Sequence, residues 1–242
     1  LTENNILRHV DHKYYWMEEE LPSGEISLRS ARTENFVIID ITDPAAISQG
    51  VTDIVDKFKL MRGLGVKDFG MFVDDVDTGA VSVLSGAPAQ ADLISRVAKG
   101  WKAEAGNSFR PLFYVPSLYC FASYWPIYHV ATNVGPLADI DNLDDLVLTF
   151  TGSSVFSPIE NGAFDAFTSC LGAGEDYKWM LWWNSPVNDG ADDTLFMGPA
   201  NQFYDMETDV TNARGVISNP MQQSEASKIQ LFGVLDYAWN IG

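Results

Sequence analysis

The chain has 242 residues, with 33 Asp and Glu against 15 Lys and Arg, a net charge of −18. Its 46% apolar and 20% charged residues are a globular composition long enough to bury one sizeable core, and its acidity argues against nucleic acid or an anionic membrane surface as partner. Two cysteines, Cys120 and Cys170, are too few for a disulfide scaffold and match no zinc spacing, no apolar run approaches the roughly 20 residues of a membrane span, and LTENNILRHV lacks the pattern of a signal peptide, so a soluble domain is expected.

Short apolar runs recur along the chain. After a strand around Asn5–Leu7 come FVIID from Phe36, FGMFV from Phe69, PLFYV from Pro111, LVLTF from Leu146, WMLWW from Trp179 and GVIS from Gly215. Each is β-branched or aromatic on both faces, as a parallel strand covered on both sides requires. Their starts lie 33 to 42 residues apart, room for a strand, a crossover helix and two loops. Helical spacing fills the intervals. Val51, Ile54, Val55, Phe58 and Met61 mark one helix, closed by Gly63 and Gly65; Leu93, Ile94, Val97 and Trp101 mark another, ended by Gly106. Alternating β and α units predict an α/β fold, and with no linker or charge block dividing it, residues 1–242 read as one domain. The count of about seven strands falls one unit short of a (β/α)₈ barrel. A doubly wound open sheet is the rival, but no G-x-G-x-x-G follows any of these strands.

In such a barrel the chemistry lies at the C-terminal strand ends. Those ends carry Asp40 and Asp43, Asp74 and Asp75, Tyr119, Thr151, Asn184 with Asp189, and Asn219. Carboxylates, amides and a phenol at one mouth suit a polyhydroxylated ligand, because each sugar hydroxyl takes both a donor and an acceptor. Trp182 and Trp183 add flat apolar faces for a pyranose ring, although at least one of them is expected to be barrel packing. The adjacent Asp74–Asp75 pair is the sharpest element: two close carboxyls repel, so one holds its proton and serves as a general acid. A solvated loop pair or a helix N-cap fits the same two residues and is the commoner use. Asp43 before Pro44 reads as a turn or N-cap. His9 and His12, three apart with no third ligand, read as surface histidines, and Cys120, with no histidine placed to activate it, as an inert thiol.

Several segments resemble glycoside hydrolase family eighty-four, the O-GlcNAcase and bacterial N-acetylglucosaminidase family. KDFGMFVDDV (Lys67–Val76) is similar to its catalytic Asp-Asp strand, and RPLFYVPSLY (Arg110–Tyr119) to the next strand, ending in Pro-x-x-Tyr. LTFTGSSVFS (Leu148–Ser157) resembles its Trp-Thr-Gly strand, and MLWWNSPVND (Met180–Asp189) its Trp-Trp-Asn-x-Pro-Val-x-Asp segment. ISNPMQQSEASKIQLFGVLDYAWN (Ile217–Asn240) is close to its Asn-Pro-Met and Tyr-x-Trp-Asn ending. The resemblance runs in one order from about Phe36 to Asn240, and the Trp-Trp-Asn form is nearer the bacterial branch, which favours a secreted or cell-surface location.

The resemblance implies a (β/α)₈ barrel that removes terminal β-linked N-acetylglucosamine (GlcNAc) from glycoprotein or glycan with retention, the substrate's own acetamide acting as nucleophile. It implies no cofactor and no metal. Asp74 would accept the acetamide N–H and stabilise an oxazoline, and Asp75 would protonate the leaving oxygen and then deprotonate water. Tyr119 would position the acetamide, Trp182 line its pocket, Asn184 and Asn219 bind near the reaction centre, and Asp189 hold the distal hydroxyls. Thr151 joins this set of sugar contacts.

Departures from the family pattern set the alternatives. Its first strand, with Gly-Phe-Tyr-Gly, has no counterpart. RHVDHKYYW (Arg8–Trp16) stands where Lys-Asp-Asp-Pro-Tyr-His is usual, with Arg8 in the lysine's place. Phe150 replaces a tryptophan and Leu118 a glutamate. An incomplete barrel is therefore expected, with unpaired edges. The alternatives are a catalytically impaired GlcNAc-binding barrel, a hyaluronidase-type glycosidase and a structural domain.

Overall fold

The computed structural model describes residues 6–9, 14–20, 26–32, 37–41, 43–74, 84–122, 125–173, 177–188, 194–198, 207, 210 and 213–239; up to residue 40 it describes the backbone course, and the side chain of Ile39 alone. The first strands come in antiparallel pairs. β1 (Ile6–His9) runs against β4 (Val37–Asp40), and β2 (Tyr14–Glu20) against β3 (Ile26–Arg32). The strand expected around Asn5–Leu7 is thus present as β1.

FVIID corrects an expectation. Among the described residues its core, β4, does not join the parallel sheet but pairs with β1, Ile6 opposite Asp40 and His9 opposite Val37. Apolarity on both faces reports that a strand is covered, not which partner its backbone takes. Here α1 (Pro44–Gly63) supplies cover, with Ile39 packed against the helix at Gly50.

From β5 onward the expectation holds. β5 (Gly70–Phe72), β6 (Leu112–Val115), β7 (Leu146–Phe150), β8 (Trp179–Trp183) and β9 (Ala213–Ser218) form one parallel sheet in chain order. The helices α2 (Ala87–Ala105), α3 (Ile127–Val134) and α4 (Asn161–Leu171) fill the first three crossovers, and α5 (Ser224–Trp239) follows β9. α1 starts where Asp43 caps it, its Oδ1 accepting the Ala45 N–H at 2.8 Å with Pro44 in the first turn. α2 stops at Gly106.

Two aromatic clusters weld helices to sheet. Phe58 of α1, Phe69 before β5 and Trp101 of α2 lie 4.6–5.6 Å apart between ring centroids. On the strands, Phe150 meets Phe164 and Phe167 of α4 at 5.0 and 4.3 Å, and Trp179 meets Phe167 at 5.2 Å. Each fully buried aromatic of this size contributes up to about 3 kcal/mol. Among the described residues the outer edges of β5 and β9 are unpaired. Phe72 on the β5 edge is 59% exposed, and α5 beside β9 leaves Phe232, Leu235 and Trp239 in solvent.

Candidate active site

Parallel strands in register bring their C-terminal ends to one side of the sheet. Val73 prolongs β5, its N–H donating to the Val115 carbonyl at 3.1 Å, and the chain turns at the half-buried Asp74. Past β6 the chain runs through buried Ser117 and Leu118 to Tyr119, whose carbonyl accepts the Thr151 N–H at 2.8 Å. Asn184 follows β8 directly. Asn219 follows β9, its N–H donating to the Trp183 carbonyl at 2.9 Å. Tyr119, Thr151, Asn184 and Asn219 are thus tied between neighbouring strand ends.

The side chains form two groups. The first is aromatic: the Trp182 ring lies 5.8 Å from Phe72 and 6.3 Å from Tyr119, nearly parallel to the latter at 24°. Trp125 meets Tyr119 edge-on at 5.4 Å. The second is an amide pair. Asn219 Nδ2 donates to Asn184 Oδ1 at 2.9 Å, and Asn184 Nδ2 donates to the Val155 carbonyl at 2.8 Å, so the Asn184 amide is fixed from both ends.

Thr151 is buried, and its hydroxyl proton goes to the Ser154 carbonyl at 2.8 Å, while its own carbonyl accepts Ser157 Oγ at 2.8 Å. The turn they brace needs Gly152, whose φ is +106° and whose absent Cβ would run into Ser157 Oγ. Trp183 is wholly buried, its indole N–H on the Ser157 carbonyl at 3.0 Å; it is the packing tryptophan of the pair, and Trp182 the partly exposed one. Burial pushes the Cys120 thiol up to about 11, against an opposing pull from its hydrogen bond with Thr151. That is an unreactive thiol.

Asp75, Asp189 and His12 lie outside the described residues. Arg8 lies on β1 opposite Ile38, in a sheet separate from the parallel one. Among the described residues no three His, Cys, Asp or Glu are grouped to hold a metal, and no helix is long and apolar enough to cross a membrane. Two members of the aromatic group were missed in the sequence. Phe72 had a signal, since it ends the strand two residues before Asp74. Trp125 had none, because it reaches Tyr119 across a loop.

The family model for β-N-acetylglucosaminidase matches residues 44–242. The match begins at the first residue of α1, so FVIID, the first segment of the resemblance, lies before it. Among solved structures the chain is similar to CpGH84D (24% identity, TM-score 0.68, 84% of this chain and 31% of that one). It is also similar to CpGH84B (24% identity, TM-score 0.64, 82% and 33%). That likeness speaks to the fold: both are glycoside hydrolase barrels, of which this chain spans about a third of the length. Over 61 residues, 25% of this chain and 8% of the relative, it is 38% identical to the uncharacterized ATP-dependent helicase YprA of Bacillus subtilis (strain 168), a stretch too short to show a family.

Proposed function

The chain belongs to the β-N-acetylglucosaminidase family of glycoside hydrolases, and on that premise we propose that it removes terminal β-linked GlcNAc with retention, through an oxazoline intermediate. The observation that carries the reading is that Asp74, Tyr119, Trp182, Asn184 and Asn219 all stand at the C-terminal ends of the parallel strands, Tyr119 stacked on Trp182 and Asn219 bonded to Asn184.

The chemistry follows from those groups. The acetamide carbonyl oxygen attacks C1 while Asp75 gives its proton to the departing glycosidic oxygen, and the C1–O bond breaks. Asp74 accepts the acetamide N–H, which makes the carbonyl oxygen a better nucleophile and balances the charge of the oxazoline. Water then attacks C1 as the bond from C1 to the oxazoline oxygen breaks, Asp75 takes the water's proton, that oxygen returns as the acetamide carbonyl, and two inversions leave the configuration retained. The negative Asp74 beside it keeps Asp75 protonated for the first step. Trp182 and Tyr119 form the flat apolar walls that hold the acetamide in line for attack on C1. Asn219 spends one amide proton on Asn184 and offers its carbonyl oxygen and second proton to a sugar hydroxyl. Asp189 holds the distal hydroxyls.

A second reading, a GlcNAc-binding barrel with impaired turnover, is favoured by one observation: among the described residues the five parallel strands are open at β5, where Phe72 beside Trp182 is exposed. Melting curves with a GlcNAc-thiazoline, a stable mimic of the oxazoline, test both. Bound at 100 times its Kd it stabilises the fold by about 2.7 kcal/mol. The expected result is a shift in the wild type that vanishes in Asp74→Ala, together with hydrolysis of aryl GlcNAc. A shift without hydrolysis selects the binding reading. No shift in a folded protein overturns both, and cleavage of hyaluronan polymer alone points to the hyaluronidase type.

A further inference from the structure

The buried face of α5 is formed by Ser227, Gln230 and Val234, spaced to point one way from the helix. Gln230 is 0% exposed. A long amide at such a position is costly to bury and gives way to leucine unless its hydrogen bonds repay the loss. Only half of its capacity is used. Its Oε1 accepts the Ser185 hydroxyl at 2.7 Å, and its Nε2 has no partner among the described residues. Helix packing alone does not explain a half-satisfied glutamine there.

Ser185 supplies a reason. It is the residue after Asn184, and its carbonyl accepts the hydroxyl of Ser218, the residue before Asn219. The last backbone pair of β8 and β9 joins Trp183 and Ser218. Beyond it two parallel strands diverge unless something holds them. Three bonds do so here: Asn219 N–H to the Trp183 carbonyl, Ser218 Oγ to the Ser185 carbonyl, and Asn219 Nδ2 to Asn184 Oδ1. Gln230 holds this stitch from the helix side by fixing the Ser185 side chain.

We propose that Gln230 is a positioning residue, setting the Asn184–Asn219 pair through Ser185. The proposal rests on the reading of that pair as a sugar contact. A displacement of about 1 Å at such a group costs up to about 100-fold in rate. Gln230→Leu removes the acceptor and Ser185→Ala the donor. Each is expected to lower kcat on aryl GlcNAc by about 10- to 100-fold with a smaller change in KM, and the double variant should lose no more than either single one. The side-chain amide NMR signals of Asn184 and Asn219, identified through Asn184→Asp and Asn219→Asp, should shift in both single variants.

Unmoved amide signals overturn the proposal. So does a lowered melting temperature with kcat per folded molecule unchanged, which would make Gln230 a brace for α5 alone. Should Gln230→Leu fail to fold, Ser185→Ala decides by the same readings. A wild type that neither cleaves GlcNAc nor binds the thiazoline sinks the reading of the site, and the amide signals still decide whether Gln230 positions the pair.

Discussion

Up to residue 40 the described strands form two antiparallel pairs, whereas from residue 70 they form one parallel sheet in chain order. The difference is physical before it is functional. A two-stranded antiparallel pair needs only a chain reversal and is marginal by itself, while parallel neighbours need a crossover each, and the crossover helices cover the sheet. Parallel order also lines up the strand ends, so that residues as distant in sequence as Tyr119 and Trp182 stack. Antiparallel pairs alternate direction and gather no such set. The family match begins at residue 44 and takes in the second region only. The two regions meet where Ile39 of β4 packs on α1 at Gly50.

Damage to each region in turn, read as turnover, separates the two most strongly. Asp75→Asn removes the proton donor and should lower kcat on an alkyl GlcNAc glycoside by about 10²- to 10⁴-fold. Leu7→Pro, which removes an N–H from β1 and fixes its backbone, should leave kcat per folded molecule unchanged. An equal loss in both would make the first region part of the site and bring Arg8 on β1 into it.

A smaller contrast lies in two glycines. Gly152→Ala puts a side chain at a φ of +106° and into Ser157, at a cost of about 2–4 kcal/mol, and it displaces the turn carrying Thr151. Gly50→Ala brings a Cβ within 2.5 Å of Ile39 Cδ1 and 2.8 Å of its Cγ1. Alanine in a helix interior gains about 1 kcal/mol over glycine, so the sign of the net change is informative. Chemical denaturation should show Gly50→Ala neutral or destabilised, and improved when combined with Ile39→Val. Stabilisation by the full helix-propensity increment would mean that β4 does not pack on α1 in solution.

The same contrast explains what the sequence could tell. The inner parallel strands β6, β7 and β8 were legible because both of their faces are largely covered, and that leaves apolar runs such as LVLTF and WMLWW. The start of α1 was legible because Asp43 before Pro44 is a local capping signal. FVIID carries the same apolar signature as the others, yet its partner is β1, since hydropathy records cover and not pairing. At the strand ends, the placement of Asp74, Tyr119, Asn184 and Asn219 could be read from the apolar runs they follow. The inward hydroxyl of Thr151, the Trp125 contact and the Ser185–Gln230 bond could not, because each depends on a neighbour from a distant segment.

The smallest expected effect tests whether the two regions open together. Cys120 lies in the second region, buried between the ends of β6 and β7, and burial raises its thiol from 9.0 to about 11. Buried and held protonated, it should react with a disulfide reagent at pH 8 far more slowly in the native protein than in the unfolded chain, because the reagent must wait for the strand ends to open. The native state keeps this proton up to about 11 and the unfolded chain loses it near 9.0. The contribution to stability is therefore fully present below pH 9 and is lost as pH rises toward 11. In Leu7→Pro the labelling rate at pH 8 should equal that of the wild type, because opening β1 and β4 uncovers neither β6 nor β7. A faster rate in that variant would show that losing the antiparallel pair loosens the parallel sheet, and the two regions would then be one cooperative unit in spite of their different strand geometry.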